Sequence, residues 1–306
     1  MRSLPPAVRR RPVLSALALP FLAASLTLST SLLAGTALAQ APAAAPASPG
    51  QPLRTAVDGT FAPHAFPKLD GGVQGFNVDL FTEVARRLGR PITFDSASFS
   101  GLVPALNAGR YDFIAAPVTV TPERAESLLF AEGYLYTEFQ FGIRQGSAPI
   151  TSLTDIKGKV IAVNKGSAYD AWAQSNAEKL GFTFQTYDTN PDAVQAVVSG
   201  RAYAVLAGNT VVKYAASRQR QLVPDYVIKE TRAHWAAPFR RDEVALRNQV
   251  EDALECMKRD GTVAKLSEKW FGATPAKDDA ENTVFPGYGV PGLPGYDPTP
   301  HEPRCS

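Results

Sequence analysis

Apolar positions along this chain fall into two alternating rhythms, one of period two and one close to 3.6. Residues 53–57 alternate as a short strand, and Asp58-Gly59-Thr60-Phe61 turns out of it. Val78, Phe81, Val84, Ala85 and Leu88 then share one helical face, with Asn77 placed to cap the helix and Gly89 and Pro91 to end it. Residues 92–94 read as a strand, 102–108 as a helix and 113–116 as a strand again. This βαβαβ order predicts a parallel sheet with helices on its faces. Phe139, Phe141 and Ile143 alternate along a strand that runs into Gln145-Gly146-Ser147, a predicted hinge.

The same signals then repeat. Residues 160–163 form an apolar strand, followed by Asn164-Lys165-Gly166-Ser167 and a helix over 168–180 capped by Ser167. A strand at 183–187, a helix opened by Asn190-Pro191 and closed by Gly200, a strand at 204–206 and a helix capped by Asn209 complete the second unit. A strand at 226–228 leads to a second crossing near residues 230–233. Beyond it, Leu246, Val250, Leu254 and Met257 line a long helix, Gly261 breaks it, and residues 263–271 finish the body. Two α/β units joined by two extended crossings predict two lobes with a cleft at the carboxyl ends of their strands, closed by hinge motion.

The ends of the chain add context. Arg2, Arg9, Arg10 and Arg11 precede an apolar run over 13–33 and the small-residue site Ala37-Leu38-Ala39, the layout of a secretory signal peptide cleaved after Ala39. Residues 40–50 are a low-complexity, disordered linker. Taking four arginines from the 31 basic residues leaves 27 against 29 acidic ones, a net charge of −2, with no basic stripe to suit a nucleic acid. The only cysteines are Cys256 and Cys305; in an oxidising compartment they either bridge or leave a buried thiol and a mobile tail. No CxxC or His/Cys cluster appears, so neither metal nor cofactor is expected. The tail, 273–306, is rich in Pro and Gly and is expected to form neither helix nor domain.

One stretch carries the chemistry. P-V-T-V-T-P-E-R at 117–124 follows a strand end, with Thr121 as N-cap and Pro122 at the first helical position, which puts Arg124 in a first turn where a cation is disfavoured unless an anion lies nearby. Arg124, the Thr119 hydroxyl and free backbone N–H groups together suit a carboxylate. Read locally, a solvated surface arginine fits as well.

From Asp58 to Phe271 the chain resembles the periplasmic solute-binding proteins of polar amino-acid ABC importers. The matching pieces are G-F-N-V-D-L at 75–80, F-S-G-L-V-P-A-L-N-A-G-R-Y-D at 99–112, T-V-T-P-E-R at 119–124 and D-G-T-V-A-K-L-S-E-K-W-F-G at 260–272. The resemblance implies a type II periplasmic-binding-protein fold: α/β, two-lobed, each lobe a mainly parallel sheet flanked by helices. Lobe 1 would take 51–143 and 232–272, and lobe 2 would take 144–231. It implies that Arg124 and Thr119 hold the ligand carboxylate with help from Asn164, Ser167 and Ala168. Phe61 and Phe99 would pack on the ligand, carbonyls at Ala116 and Pro117 would accept from its α-ammonium, and Asp58 would meet a polar or cationic side chain. Phe61 and Phe99 also read as ordinary core, and Asp58 as an Asx-type turn. Two positions depart from the pattern: Pro117 stands where a small residue is usual, and Gly208 stands where an acid usually meets the ammonium. Asn209, Asp58 or Asp170 would have to compensate, or the ligand lacks a free α-ammonium. The implied partners are a small carboxylate or amino acid and an inner-membrane permease, with the chain acting as a monomer in the periplasm. An alternative of another class is an enzyme similar to the periplasmic cyclohexadienyl dehydratases, which needs a general acid in the cleft.

Overall fold

The computed structural model describes residues 50–305; the predicted signal peptide and most of the predicted linker lie outside the described residues. In chain order the first half comprises β1 (Leu53–Val57), β2 (Phe66–Pro67), β3 (Val73–Gln74), α1 (Phe76–Arg87), β4 (Ile92–Ser96), α2 (Phe99–Asn107), β5 (Phe113–Ile114), β6 (Val118–Thr119), α3 (Pro122–Ser127), β7 (Leu129–Phe130) and β8 (Leu135–Arg144). A 3-10 turn at Leu153–Ile156 opens the second half. It is followed by β9 (Val160–Asn164), α4 (Ala168–Leu180), β10 (Thr183–Tyr187), α5 (Asn190–Val198), β11 (Ala204–Gly208), α6 (Asn209–Arg218), β12 (Leu222–Ala236), β13 (Pro238–Phe239), α7 (Val244–Arg259) and α8 (Thr262–Phe271).

The first lobe is built on a parallel sheet ordered β4-β1-β5. Its period-two pattern is visible in the packing. Leu53 and Val57 join Leu80, Phe81 and Val84 of α1 on one face, whereas Ala56 and Ile114 join Leu102 and Leu106 of α2 on the other. The second lobe repeats the device: Ile161 and Val163 of β9 pack with Tyr169 and Ala173 of α4, and Ala162 packs with Ala193, Ala196 and Val197 of α5.

The second sheet has six strands, ordered β10-β9-β11-β8-β12-β6. β9, β10 and β11 are parallel, while β8, β12 and β6 join antiparallel. β8 and β12 are long because they serve both lobes: Phe139 to Ile143 pairs with β11, and Trp235 at the far end of β12 pairs with Thr119. The ladder between them breaks between Ile228 and Ala233. Gln145-Gly146-Ser147, predicted as a hinge, instead turns at the distal end of β8, where Gln145 N–H donates to Gln221.

Three helices start on side-chain caps, and two starts differ from those predicted. Thr121, Ser167 and Thr189 each accept an N–H from three residues on. α1, however, is capped by Gly75 at φ 143°, where a Cβ would lie 2.3 Å from the His64 carbonyl oxygen. Asn77 sits inside the helix and turns its amide into the core. α6 starts at Asn209, with Gly208 in the cap position.

The tail lies along lobe 1, tied by a Cys256–Cys305 disulfide with Cα atoms 5.4 Å apart. Phe285 N–H donates to Glu132 at 3.0 Å, Gly289 N–H to Glu251 at 2.6 Å, and Lys258 Nζ to the Thr283 carbonyl at 2.9 Å. Val290 and Leu293 pack against the α2 side of the core, and His301 stacks on Tyr288. No helix among the described residues is long and apolar enough to cross a membrane.

Candidate functional site: a clamp between the lobes

Thr121 caps α3 by accepting the Arg124 N–H at 3.2 Å, with Pro122 in the first turn. The Arg124 guanidinium folds back, Nη1 donating to the Thr119 carbonyl at 2.9 Å and Nη2 reaching across to the Gly166 carbonyl at 3.2 Å. Its Cζ lies 5.8 Å from the centre of the Phe99 ring. Burial pushes its pKa down, with only part restored by Tyr169 and Glu123. A half-buried cation whose partners are two neutral carbonyls is poised for an anion.

Two further donors face the same spot. Trp235 Nε1–H donates to Thr119 Oγ1 at 3.0 Å, which leaves the hydroxyl proton of Thr119 free to donate elsewhere. Ser167 is spent on its turn, donating to the Asn164 carbonyl at 2.6 Å and accepting the Asp170 N–H at 3.1 Å. As the cap of a helix of 13 residues, it leaves the first-turn N–H groups of Ala168 and Tyr169 to serve an anion. Gly166, at φ +73°, lets this turn approach lobe 1: a Cβ there would sit 3.2 Å from Ser100.

Phe61, Phe99, Pro117, Thr119, Asn164, Ser167 and Ala168, all predicted from sequence, line one cavity of about 10 Å³ together with Tyr169. Ala116 is fully buried beneath it. At the end near Asp58, polar groups are left without partners. Asp58 Oδ1 accepts Thr60 N–H at 3.0 Å and Thr60 Oγ1 at 2.7 Å, the expected Asx-type turn, whereas Oδ2 is buried and unpartnered. Both polar atoms of the Asn164 amide and the Tyr169 hydroxyl are also buried without partners. Burial raises the Asp58 pKa; hydrogen bonds from Thr60 and the nearby Asn164 amide, which is not aligned into a full hydrogen bond, lower it in part.

Gly208 stands apart from the cavity. A Cβ on it would lie 2.7 Å from the Trp235 ring carbons and 2.9 Å from Tyr169 Oη, so an aromatic wall fills the place where an acid would project. Asp170 and Asn209 do not substitute for that acid. Asp170 accepts Gly166 N–H at 2.8 Å and Gln174 Nε2 at 2.9 Å, and Asn209 accepts the Thr210 N–H at 2.9 Å.

Tyr169 and Trp235 were not predicted from sequence. Tyr169 was findable as the second residue after the Ser167 cap; Trp235 gave no local signal, because it reaches the site only through the pairing of β12 with β6.

Residues 53–273 match the family model described as bacterial extracellular solute-binding proteins, family 3. The L-cystine-binding protein TcyJ of Escherichia coli K12 is 28% identical over 226 residues, 74% of this chain and 84% of the relative. Among solved structures, an ancestral arginine-binding protein bound to arginine superposes with a TM-score of 0.69 at 30% identity, covering 72% of this chain and 98% of its own. An ancestral amino-acid-binding protein described as a precursor of cyclohexadienyl dehydratase superposes at 0.66, also with 30% identity, covering 72% and 95%. The matched region holds both lobes and every clamp residue and stops where the tail begins. On that match the chain belongs to the bacterial extracellular solute-binding proteins of family 3.

Proposed function

We propose that this protein captures a small carboxylate, an amino acid or a close relative of one, between its lobes, and delivers it to an inner-membrane ABC permease. The observation that carries this is Arg124: a half-buried guanidinium at the meeting of the lobes, bonded to one neutral carbonyl on each side. A ligand carboxylate replaces those weak partners with charge-assisted bonds from Arg124, Thr119 and the start of α4. Its other end meets Asp58 and Asn164, and an α-ammonium, where present, is held by the carbonyls at Ala116 and Pro117, since Gly208 supplies no acid. The cavity of about 10 Å³ has room for about one water, so the lobes part to admit the ligand.

We place the crossings where the ladder between β8 and β12 is interrupted, near Thr137–Phe139 and Ile228–Ala233. The N-terminal segment is read as an export signal for the periplasm, and the mature chain as a monomeric binding protein without catalytic activity. The buried, unpartnered Asp58 Oδ2 favours one second reading, a general acid in the cleft of a dehydratase. Release of product from prephenate or arogenate by the purified protein would establish it.

The test is calorimetry with the common L-amino acids, L-cystine and their 2-hydroxy and 2-oxo analogues. Wild type is expected to bind a member of this panel, and Arg124→Ala to lose it while keeping its circular dichroism and melting temperature. Undiminished affinity in Arg124→Ala would remove the clamp from consideration.

A further inference from the structure

Two side-chain hydrogen bonds pass directly between the lobes among the described residues. One is the Arg124–Gly166 bond, which belongs to the clamp and is remade when a carboxylate occupies the guanidinium. The other joins His64 of lobe 1 to Thr210 in the first turn of α6, Nε2 to Oγ1 at 2.9 Å. Neither residue lines the ligand cavity.

The hydrogen-bond network sets the tautomer of His64. Asn77 Nδ2 donates to the Ala115 carbonyl at 2.6 Å and to Tyr134 Oη at 2.7 Å, so its Oδ1 is the atom that faces His64 Nδ1 at 3.0 Å. Nδ1 therefore carries the proton, and Nε2 presents a lone pair to the Thr210 hydroxyl. The imidazole is fully buried. It packs edge-on to Trp235 at 4.6 Å between ring centres, with Phe61, Phe76 and Phe271 around it. Trp235 in turn donates to Thr119 of the clamp. One continuous contact chain thus runs from α6 of lobe 2 through His64 and Trp235 to the ligand-holding hydroxyl.

We propose that His64 and Thr210 form an interlobe latch: positioning residues whose hydrogen bond holds the lobes together around the ligand and sets how fast it leaves. The proposal rests on the capture of a ligand by lobe closure, and it assigns the hold to residues that do not touch that ligand. It also makes closure sensitive to acid. The groups facing the imidazole from α1, α6, β12, α8 and the loop after β1 are Asn77, Thr210, Trp235, Phe271 and Phe61, with Phe76, and none carries a charge. Burial pushes the His64 pKa down to about 3 from 6.5, with Asn77 opposing. Opening takes Thr210 away from Nε2 and lets water reach that edge of the ring, which moves the value back toward the ordinary one, while the lobe-1 aromatic residues stay in place. A pKa depressed further in the closed form than in the open one means closure is fully supported above the open-form value and loses support as pH falls below it, by at most about ten-fold per pH unit in the closed-to-open ratio.

The test uses nitroxide pairs, one on each lobe, to read the interlobe distance in the full mature protein, alone and with the mixture of common L-amino acids and L-cystine. Thr210→Val keeps the shape of the side chain and removes the hydroxyl; Thr210→Ser keeps the hydroxyl. The latch requires that Thr210→Val shift the distribution toward longer distances, lowering the closed fraction relative to the open by roughly five-fold, while Thr210→Ser stays like wild type. It also requires that acidification from pH 7 to 5 open the wild type and leave His64→Gln unaffected. Equal distributions in wild type and Thr210→Val, or equal shifts in the valine and serine variants, overturn it. Because distances are read without ligand as well, failure of the mixture to bind counts against the proposed ligand class and leaves the latch decided by the free protein. Thr210 begins a helix and fills no core site, so the valine variant reads the latch even where a His64 substitution disturbs folding.

Discussion

Gly208 and Trp235 are a matched pair. The indole edge occupies the volume that any side chain at 208 would need, at 2.7 Å from a Cβ, and the same ring spends its N–H on Thr119. Gly208→Ala is therefore expected to destabilise the protein by about 1–3 kcal/mol through overpacking, read as a lower melting temperature. Gly208→Ala combined with Trp235→Leu should cost less than the sum of the two single changes, because the smaller side chain makes room. Additive losses would show that the two residues do not compete for space. At this scale much of the candidate site is legible: Arg124, Thr119, Phe61, Phe99 and Ser167, which the structure brings together, sit in short motifs whose chemistry is local. Trp235, Tyr169 and His64 are not, because each acquires its role from a neighbour distant in sequence: Thr119, Gly208 and Thr210 respectively.

At the scale of elements, periodicity carried most of the fold, since both lobes bury helices against both faces of their parallel strands and each face writes its own repeat into the sequence. The start of α1 was misread because a close chain approach at His64 demands glycine in the cap, which no propensity of Asn77 reveals. The long antiparallel run of β12 was read as a short strand because its outer residues are polar where it spans the gap between lobes. α7 carries a second chemistry through Glu251, which faces Glu132, Arg247 and the tail. Burial, reinforced by Glu132, pushes the Glu251 pKa up to about 8, against the pull of the Gly289 N–H and Arg247. A value raised in the folded state contributes stability that is full below the unfolded pKa near 4.5 and is lost as pH rises through about 8. The melting temperature is expected to fall between pH 5 and pH 8, and Glu251→Gln to flatten that dependence; an equally steep curve in the variant would assign the loss to other groups.

For the whole molecule, the disulfide between α7 and the end of the tail spans 49 positions in sequence. Closing a loop of that length is worth about 4 kcal/mol or less, so Cys256→Ser with Cys305→Ser should lower the melting temperature by several degrees and expose the tail to protease. Retained melting temperature and protease resistance would show that the buried polar contacts suffice. Composition marks this segment as neither helix nor domain; its contacts run to lobe 1, through Glu132, Glu251 and Lys258, which no local pattern encodes.

The tail's contacts to the body fall on lobe 1 and on the crossing strand at Arg232 and His234. The two jaws are therefore unequal: the tail's hydrogen bonds and disulfide thicken one, and only the first stretch of the tail, at Ala273–Pro275, Asp279 and Glu281, shares a pocket with α6 of the other. A surface-immobilised form of the protein attached through its C-terminus would hold the jaw to which the tail is tied, so a fluorophore on α4, away from the tail, is expected to report ligand capture with the tether acting as a fixed mount.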